Sequence, residues 1–129
     1  MYDIVADIVT PEIIEFIERG DVMCPMRCGH FDCAMSVEVA EHILPDKSET
    51  LIDNITEAAQ RMIFFTAARP GQRGTGHINL RPRDEWIRMF QERGWSEVAE
   101  EVAKTREIWG TILDRKQHYL IRNLIIFSR

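Results

Sequence analysis

Glu38, Glu41 and His42 stand at i, i+3 and i+4 directly after an apolar run that begins at Phe31, and a second histidine, His77, follows in a glycine-rich stretch. If a helix begins just after Ser36, the first three side chains project from one face within a single turn. Carboxylates and an imidazole crowded at the mouth of a strand repel or desolvate one another unless they hold a cation, a substrate hydroxyl or water. The spacing alone leaves a second reading open. The same residues would make a solvated first helical turn, with acids at the positive end of the helix dipole.

A basic stretch lies close by. From Arg69 to Arg83 the chain carries Arg69, Arg73, Arg81 and Arg83 and no acidic residue, although its overall net charge is -5. Such a patch suits a phosphorylated or otherwise anionic substrate, or it simply solubilises a loop. The negative total argues against a general nucleic-acid binder, which needs lysine and arginine to neutralise phosphates. Cys24, Cys28, His30 and Cys33 fall close together, but their spacing is poor for a tetrahedral zinc knuckle, so buried or half-buried free thiols are expected. His30 and His118 are expected at the surface. Trp86, Trp95 and Trp109, like Met23, Met26 and Met35, are expected to pack in the interior.

These groups need a scaffold, and the hydrophobic pattern supplies one. The chain has 129 residues, 45% of them hydrophobic and 29% charged, which fits one domain spanning residues 1–129. An apolar segment, Tyr2 to Val9, precedes Thr10-Pro11-Glu12, which carries the N-cap, first-turn proline and first-turn acid of a helix closed by Gly20. A short extended piece is expected from Asp21 to Met26, and a strand from Phe31 to Ser36. A helix should start near Asp46 to Ser48, since Leu51, Ile52, Ile55, Ala58 and Ala59 form a stripe of helical period. Met62 to Ala68 reads as a buried strand, residues 70–76 as a loop, Asp84 to Arg93 as a helix ended by Gly94, and Val98 to Trp109 as another. His118 to Phe127 reads as the final strand. The alternation predicts an α/β fold with three layers, a Rossmann-like, mainly parallel sheet carrying ligands at the carboxyl ends of its strands. No run is apolar for long enough to cross a bilayer and Met1-Tyr2-Asp3 opens with an acid, so a soluble cytoplasmic protein is expected.

The order of the segments adds a further expectation. Phe31-Asp32, Ser36, Glu38-Val39-Ala40-Glu41-His42, then Arg61 to Gly71, the loop from Pro70 to Asn79 and the segment Asp84 to Phe90 together resemble class I S-adenosylmethionine-dependent methyltransferases. They resemble, in turn, that family's fourth strand and following turn, its fifth strand, and its next loop and helix. The likeness covers roughly residues 20–129, the C-terminal part of a truncated methyltransferase fold. At the N-terminus the family's glycine-rich cofactor turn has no counterpart, because the first glycine is Gly20. Two registers stay open there. In one, residues 3–9 take the place of the second strand with Asp7 at its ribose-binding end, and Asp21 opens the third; in the other, residues 3–20 fill the slot of the first strand and helix.

The resemblance implies S-adenosylmethionine as cofactor, lined by Asp7, Asp21, Ser36, Val37 and Glu38, with Glu38, Glu41, His42 and His77 catalytic and facing a small or anionic oxygen acceptor. The pattern also resembles a subset of these enzymes, the small-RNA 3′-end 2′-O-methyltransferases and ubiquinone-pathway O-methyltransferases. In that subset such residues hold a divalent metal, and here Glu38, Glu41, His42 and His77 would suit Mn²⁺, Fe²⁺ or Zn²⁺ better than Mg²⁺. The competing expectation is a non-catalytic remnant of the fold that binds a partner. If the central strand is missing, the strand from Phe31 presents an unpaired apolar edge, which predicts a homodimer.

Overall fold

The computed structural model describes residues 12, 16–18 and 20–129; the expected strand from Tyr2 to Val9, most of the helix after Thr10, and Asp7 lie outside the described residues. The described chain is an α/β arrangement built on four strands, β1 (Phe31–Val37), β2 (Ala59–Thr66), β3 (Ser96–Glu97) and β4 (Ile125–Ser128), in the order β1-β2-β4-β3. Four α-helices accompany them: α1 (Ser48–Ala58), α2 (Arg83–Gln91), α3 (Ala99–Ile112) and α4 (His118–Asn123). Only β1 and β2 run parallel. The pairs β2/β4 and β3/β4 are antiparallel, so across the described residues the sheet is mixed rather than mainly parallel.

α1 is the crossover that parallel strands require. Its buried Leu51, Ile52 and Ile55 follow the expected stripe, but Ala59 already belongs to β2. Asn54 on α1 holds the segment before β1: its Oδ1 accepts from Met26 N at 2.8 Å, and its Nδ2 donates to Val22 O and Cys24 O at 3.0 and 2.9 Å. That segment is a turn rather than the extended piece expected, because Asp21 accepts from Met23 N and Cys24 N at 2.9 Å.

Alternation along β2 and β4 sends side chains to both faces of the sheet. Ile63, Phe65, Ile125 and Phe127 join the main cluster with α1 and with Trp86, Met89 and Phe90 of α2. Leu124 and Ile126 pack with Val102 of α3 on the other face, with Met62, Phe64 and Trp109 around them. Phe90 stacks on Phe127 with ring centroids 4.2 Å apart and meets Phe65 edge-on at 5.3 Å, next to Trp86. Each such fully buried apolar side chain contributes about 1.5–3 kcal/mol relative to an exposed one.

The final strand is half as long as the sequence suggests. Asp114 and Gln117 cap each other's backbone and launch a helical turn that continues into α4, so His118 to Asn123 are helical and only Ile125 onward pairs with β2. The cysteines depart from expectation too: Cys24, Cys28 and Cys33 are all exposed thiols. So is Met35, at 63% exposure on β1, since α3 covers β2 and β4 but not β1. Among the described residues no helix is long and apolar enough to cross a membrane.

Arg83, at the start of α2, grips Glu97 of β3 through both carboxylate oxygens, with Nη1 3.0 Å from Oε2. That hydrogen bond, with the charges of Arg83 and Arg106, holds the Glu97 carboxyl below its ordinary value despite partial burial. A carboxyl whose folded pKa is depressed contributes stability above its unfolded pKa and loses it as pH falls through the folded one. Glu97→Gln is therefore expected to destabilise the protein by about 0.5–1 kcal/mol at neutral pH. In urea titrations the gap to the unsubstituted protein should close as the pH is taken below the usual glutamate range.

Candidate metal centre

The helix that would align Glu38, Glu41 and His42 does not form. β1 runs on to Val37, Glu38 takes a left-handed backbone (φ 52°), and a single 3-10 turn, Ala40–His42, follows. Thr66 at the end of β2 accounts for that bend: the Glu38 N–H is shared between Thr66 O and Thr66 Oγ1 at 3.1 and 3.0 Å. The kink redirects the chain so that Glu41 points inward and is fully buried.

The glycine-rich loop then arrives over this turn. Ile78 N and Asn79 N both donate to Glu41 O at 2.9 and 3.0 Å. Asn79, itself 3% exposed, donates through Nδ2 to Ala40 O and Ser48 Oγ at 3.0 and 2.9 Å, which staples the loop to the turn and to α1. Its Oδ1 accepts from Arg81 Nε at 3.0 Å. The result is one ligand atom each from Glu41, His42 and His77, all within 4.8 Å of one another. The two imidazoles meet edge to face with centroids 5.0 Å apart.

Both rings are oriented by backbone carbonyls. His42 Nδ1 lies 3.1 Å from Gly76 O, and His77 Nδ1 lies 3.2 Å from Gln72 O. A carbonyl only accepts, so Nδ1 carries a proton in each ring, the second-shell contact by which many metal-binding imidazoles are oriented. Glycine is required here for a steric reason: a Cβ built on Gly74 would fall on the His77 ring.

The carboxylate supplies the strongest indication. Glu41 Oε1 accepts from Ala68 N at 3.1 Å, whereas its Oε2 is buried with no donor among the described residues. Burial pushes the Glu41 carboxyl above its ordinary value, and the neighbouring Glu38 pushes it the same way, against the pull of the Glu41 and Ala68 N–H groups. Glu38 also hydrogen-bonds the Glu41 carboxyl, and two carboxyls this close share a proton or hold a cation between them. One hard oxygen and two imidazole nitrogens form a donor set suited to Mn²⁺, Fe²⁺ or Zn²⁺.

Glu38 is half-buried beside Glu41 but stands outside the three-residue cluster. Its carboxylate receives Asn123 Nδ2, at 3.1 and 3.3 Å from the two oxygens. Ser36 is buried with its hydroxyl unpartnered among the described residues, Val37 is exposed at the end of β1, and Asp21 is committed to its own turn. No contact brings Asp21 to the cluster. Asn79, Asn123, Thr66 and Gly74 are the supporting residues that the spacing of charged groups does not point to. The one local signal among them is Gly74 three residues before a histidine.

No protein-family model, curated protein or solved structure matches the chain, so the case for a class of function rests on motif order and on this geometry.

If the three side chains hold Mn²⁺, Gly74→Ala is expected to weaken its binding by about tenfold, the order seen when a group that orients a metal ligand is disturbed. The melting temperature of the metal-free protein should barely move, because Gly74 is exposed in a loop. Calorimetric titration of Mn²⁺ and a thermal melt in chelator check the two halves of this expectation.

Proposed function

We propose that this chain is a methyltransferase-like protein that uses S-adenosylmethionine to methylate an oxygen of a small or anionic acceptor, assisted by a divalent metal such as Mn²⁺. The observation that carries the reading is the convergence of Glu41, His42 and His77 at the carboxyl ends of the parallel pair, with an unsatisfied carboxylate oxygen among them. In a doubly wound sheet that is where ligands bind. The reading also draws support from β1 and β2, the segments that resemble the family's fourth and fifth strands: they are neighbours and parallel, as consecutive strands of one half of such a sheet are. Apolar clusters on both sheet faces fit a three-layer Rossmann-like fold, and an antiparallel strand near the edge of an otherwise parallel sheet is common.

Methyl transfer is an in-line displacement, so the protein contributes mainly by position. The sulfonium carbon–sulfur bond breaks, its electron pair stays on sulfur, and the acceptor oxygen forms the new bond to carbon. A bound metal would lower the pKa of the acceptor hydroxyl. Glu38, fixed by Asn123, takes the hydroxyl proton. Ser36, Val37, Glu38, Asp7 and Asp21 remain the residues proposed for the cofactor side, and Glu41, His42 and His77 face the acceptor.

Metal-free protein titrated with Mn²⁺ is expected to bind at micromolar affinity and gain about 2.7 kcal/mol of stability at a hundredfold excess over Kd. Glu41→Gln should abolish that gain and yet leave the metal-free protein about as stable as before, because the amide oxygen still accepts from Ala68 N. S-adenosylmethionine should then bind saturably, and Glu38→Ala should lose it. Identical melts with and without Mn²⁺ for both proteins would remove the metal, and no cofactor binding in either state would remove the solitary enzyme.

One observation favours the alternative, a non-catalytic module that oligomerises. Among the described residues β1 has a single neighbour, and Phe31, Met35 and Val37 on it are 55%, 63% and 40% exposed. An apolar edge strand of this kind is a template for pairing, and a second copy would cover it. Sedimentation at micromolar concentration is expected to give a dimer that Met35→Glu disperses; a monodisperse monomer before substitution rejects the pairing.

A further inference from the structure

The two histidines of the candidate centre sit on chain segments that run side by side. Gly76 O meets His42 Nδ1 at 3.1 Å, Ile78 N and Asn79 N bond Glu41 O, and Arg81 Nη2 reaches Pro45 O at 2.9 Å. The two segments form one strip of surface. Neither His42 to Pro45 nor Gly74 to Leu80 contains a lysine, arginine, aspartate or glutamate, although 29% of the whole chain is charged. Three arginines of the neighbouring basic stretch are committed within the protein: Arg69 to Arg122 O, Arg81 to Asn79, Glu85 and Pro45, and Arg83 to Glu97. The strip therefore offers an anion little to bind.

Two large aliphatic side chains on the strip face solvent. Leu44 is 48% exposed and Ile78 54%, whereas their neighbours Ile43 and Asn79 are 5% and 3% exposed. Ile43 has an extended backbone (φ -85°, ψ 162°) and its side chain enters the main core, so His42 and Leu44, one residue to either side of it, project from the opposite face. Ile78 follows His77 directly in the apposed segment. A single exposed leucine needs no explanation. Two aliphatics on an uncharged strip, each within two residues of a histidine of the cluster, give a polar centre an apolar border.

We infer that this site selects an amphipathic small molecule, one that turns a pair of neighbouring oxygens toward the metal and lays an apolar body against Leu44 and Ile78. Small-molecule sites are commonly apolar with a few convergent polar groups, and an ion held by three protein donors keeps room for oxygens of a ligand. The inference rests on the metal-assisted reading above and narrows its acceptor to a small apolar one, with Leu44 and Ile78 as the residues that determine specificity.

The experiment titrates Mn²⁺-loaded protein, by calorimetry, with three hydroxamates that each present a chelating oxygen pair: acetohydroxamate, octanohydroxamate, and the monohydroxamate of suberic acid, which is as long as the second but ends in a carboxylate. Octanohydroxamate should bind at least about tenfold tighter than acetohydroxamate, and the suberic compound should lose most of that gain. Leu44→Ser and Ile78→Ser should each weaken octanohydroxamate by about threefold or more and leave the Mn²⁺ and acetohydroxamate affinities unchanged. Leu44→Met, which keeps the apolar surface, should retain the preference, and Ile112→Ser, at an exposed isoleucine on α3, should alter nothing. Equal affinity for the acetyl and octanoyl compounds, or a preference that survives both serine substitutions, overturns the inference and leaves the metal centre standing. Absence of Mn²⁺ binding removes the metal centre, and the inference falls with it.

Discussion

Glu41 joins two parts of the chain that no regular element connects. Its carboxylate holds the backbone of Ala68 as the chain leaves β2, and its carbonyl takes two successive N–H groups from the far end of the glycine-rich loop. The loop carrying His77 is fixed above the strand ends by that carbonyl together with the bonds from Asn79 Nδ2 to Ala40 O and Ser48 Oγ. The cost is a carboxylate in the interior, which takes several kcal/mol of solvation from a charged group. A neutral amide would accept the Ala68 N–H equally well, so the backbone bond by itself does not call for an acid. The second oxygen faces the Glu38 carboxyl, and burial together with that neighbour raises the Glu41 carboxyl above its ordinary value.

The elements that were legible in the sequence are those whose side chains repeat. Leu51, Ile52 and Ile55 on α1, and Trp86 and Phe90 on α2, are buried as their spacing indicates, and Gly94 after α2 has the positive φ (80°) of a helix-ending glycine. Where pattern and local capping compete, the pattern misleads. His118 to Phe127 is rich in apolar residues, but the Asp114 and Gln117 capping pair commits the first half to helix before any strand partner is reached. Met35 misleads for another reason: it sits on a strand face that nothing among the described residues covers, and a sequence does not say where a covering helix stops.

The candidate site was legible by residue type and not by geometry. Glu41, His42 and His77 come together, but by a route that spacing cannot reveal, since Glu38 breaks helical conformation instead of starting it. Spacing along a helix and convergence across a turn call on the same residues here by coincidence of distance. The residues that create the convergence are short amides and hydroxyls, Thr66, Asn79 and Asn123, each far in sequence from the group it holds. Such residues carry no periodicity and no charge, so only tertiary structure distinguishes them from ordinary surface polar residues.

Asn123 shows why two oppositely charged clusters can share one strand end without collapsing onto each other. Its Nδ2 donates to the Glu38 carboxylate, and the same side chain packs beside Arg69, Arg81 and Arg83, where its Oδ1 has no partner among the described residues. A side-chain amide offers a donor at one end and an acceptor at the other with no net charge. An aspartate there would repel Glu38, and a lysine would bind Glu38 directly and add a charge to the arginine side. With asparagine the carboxylates stay available on one side and the guanidiniums on the other.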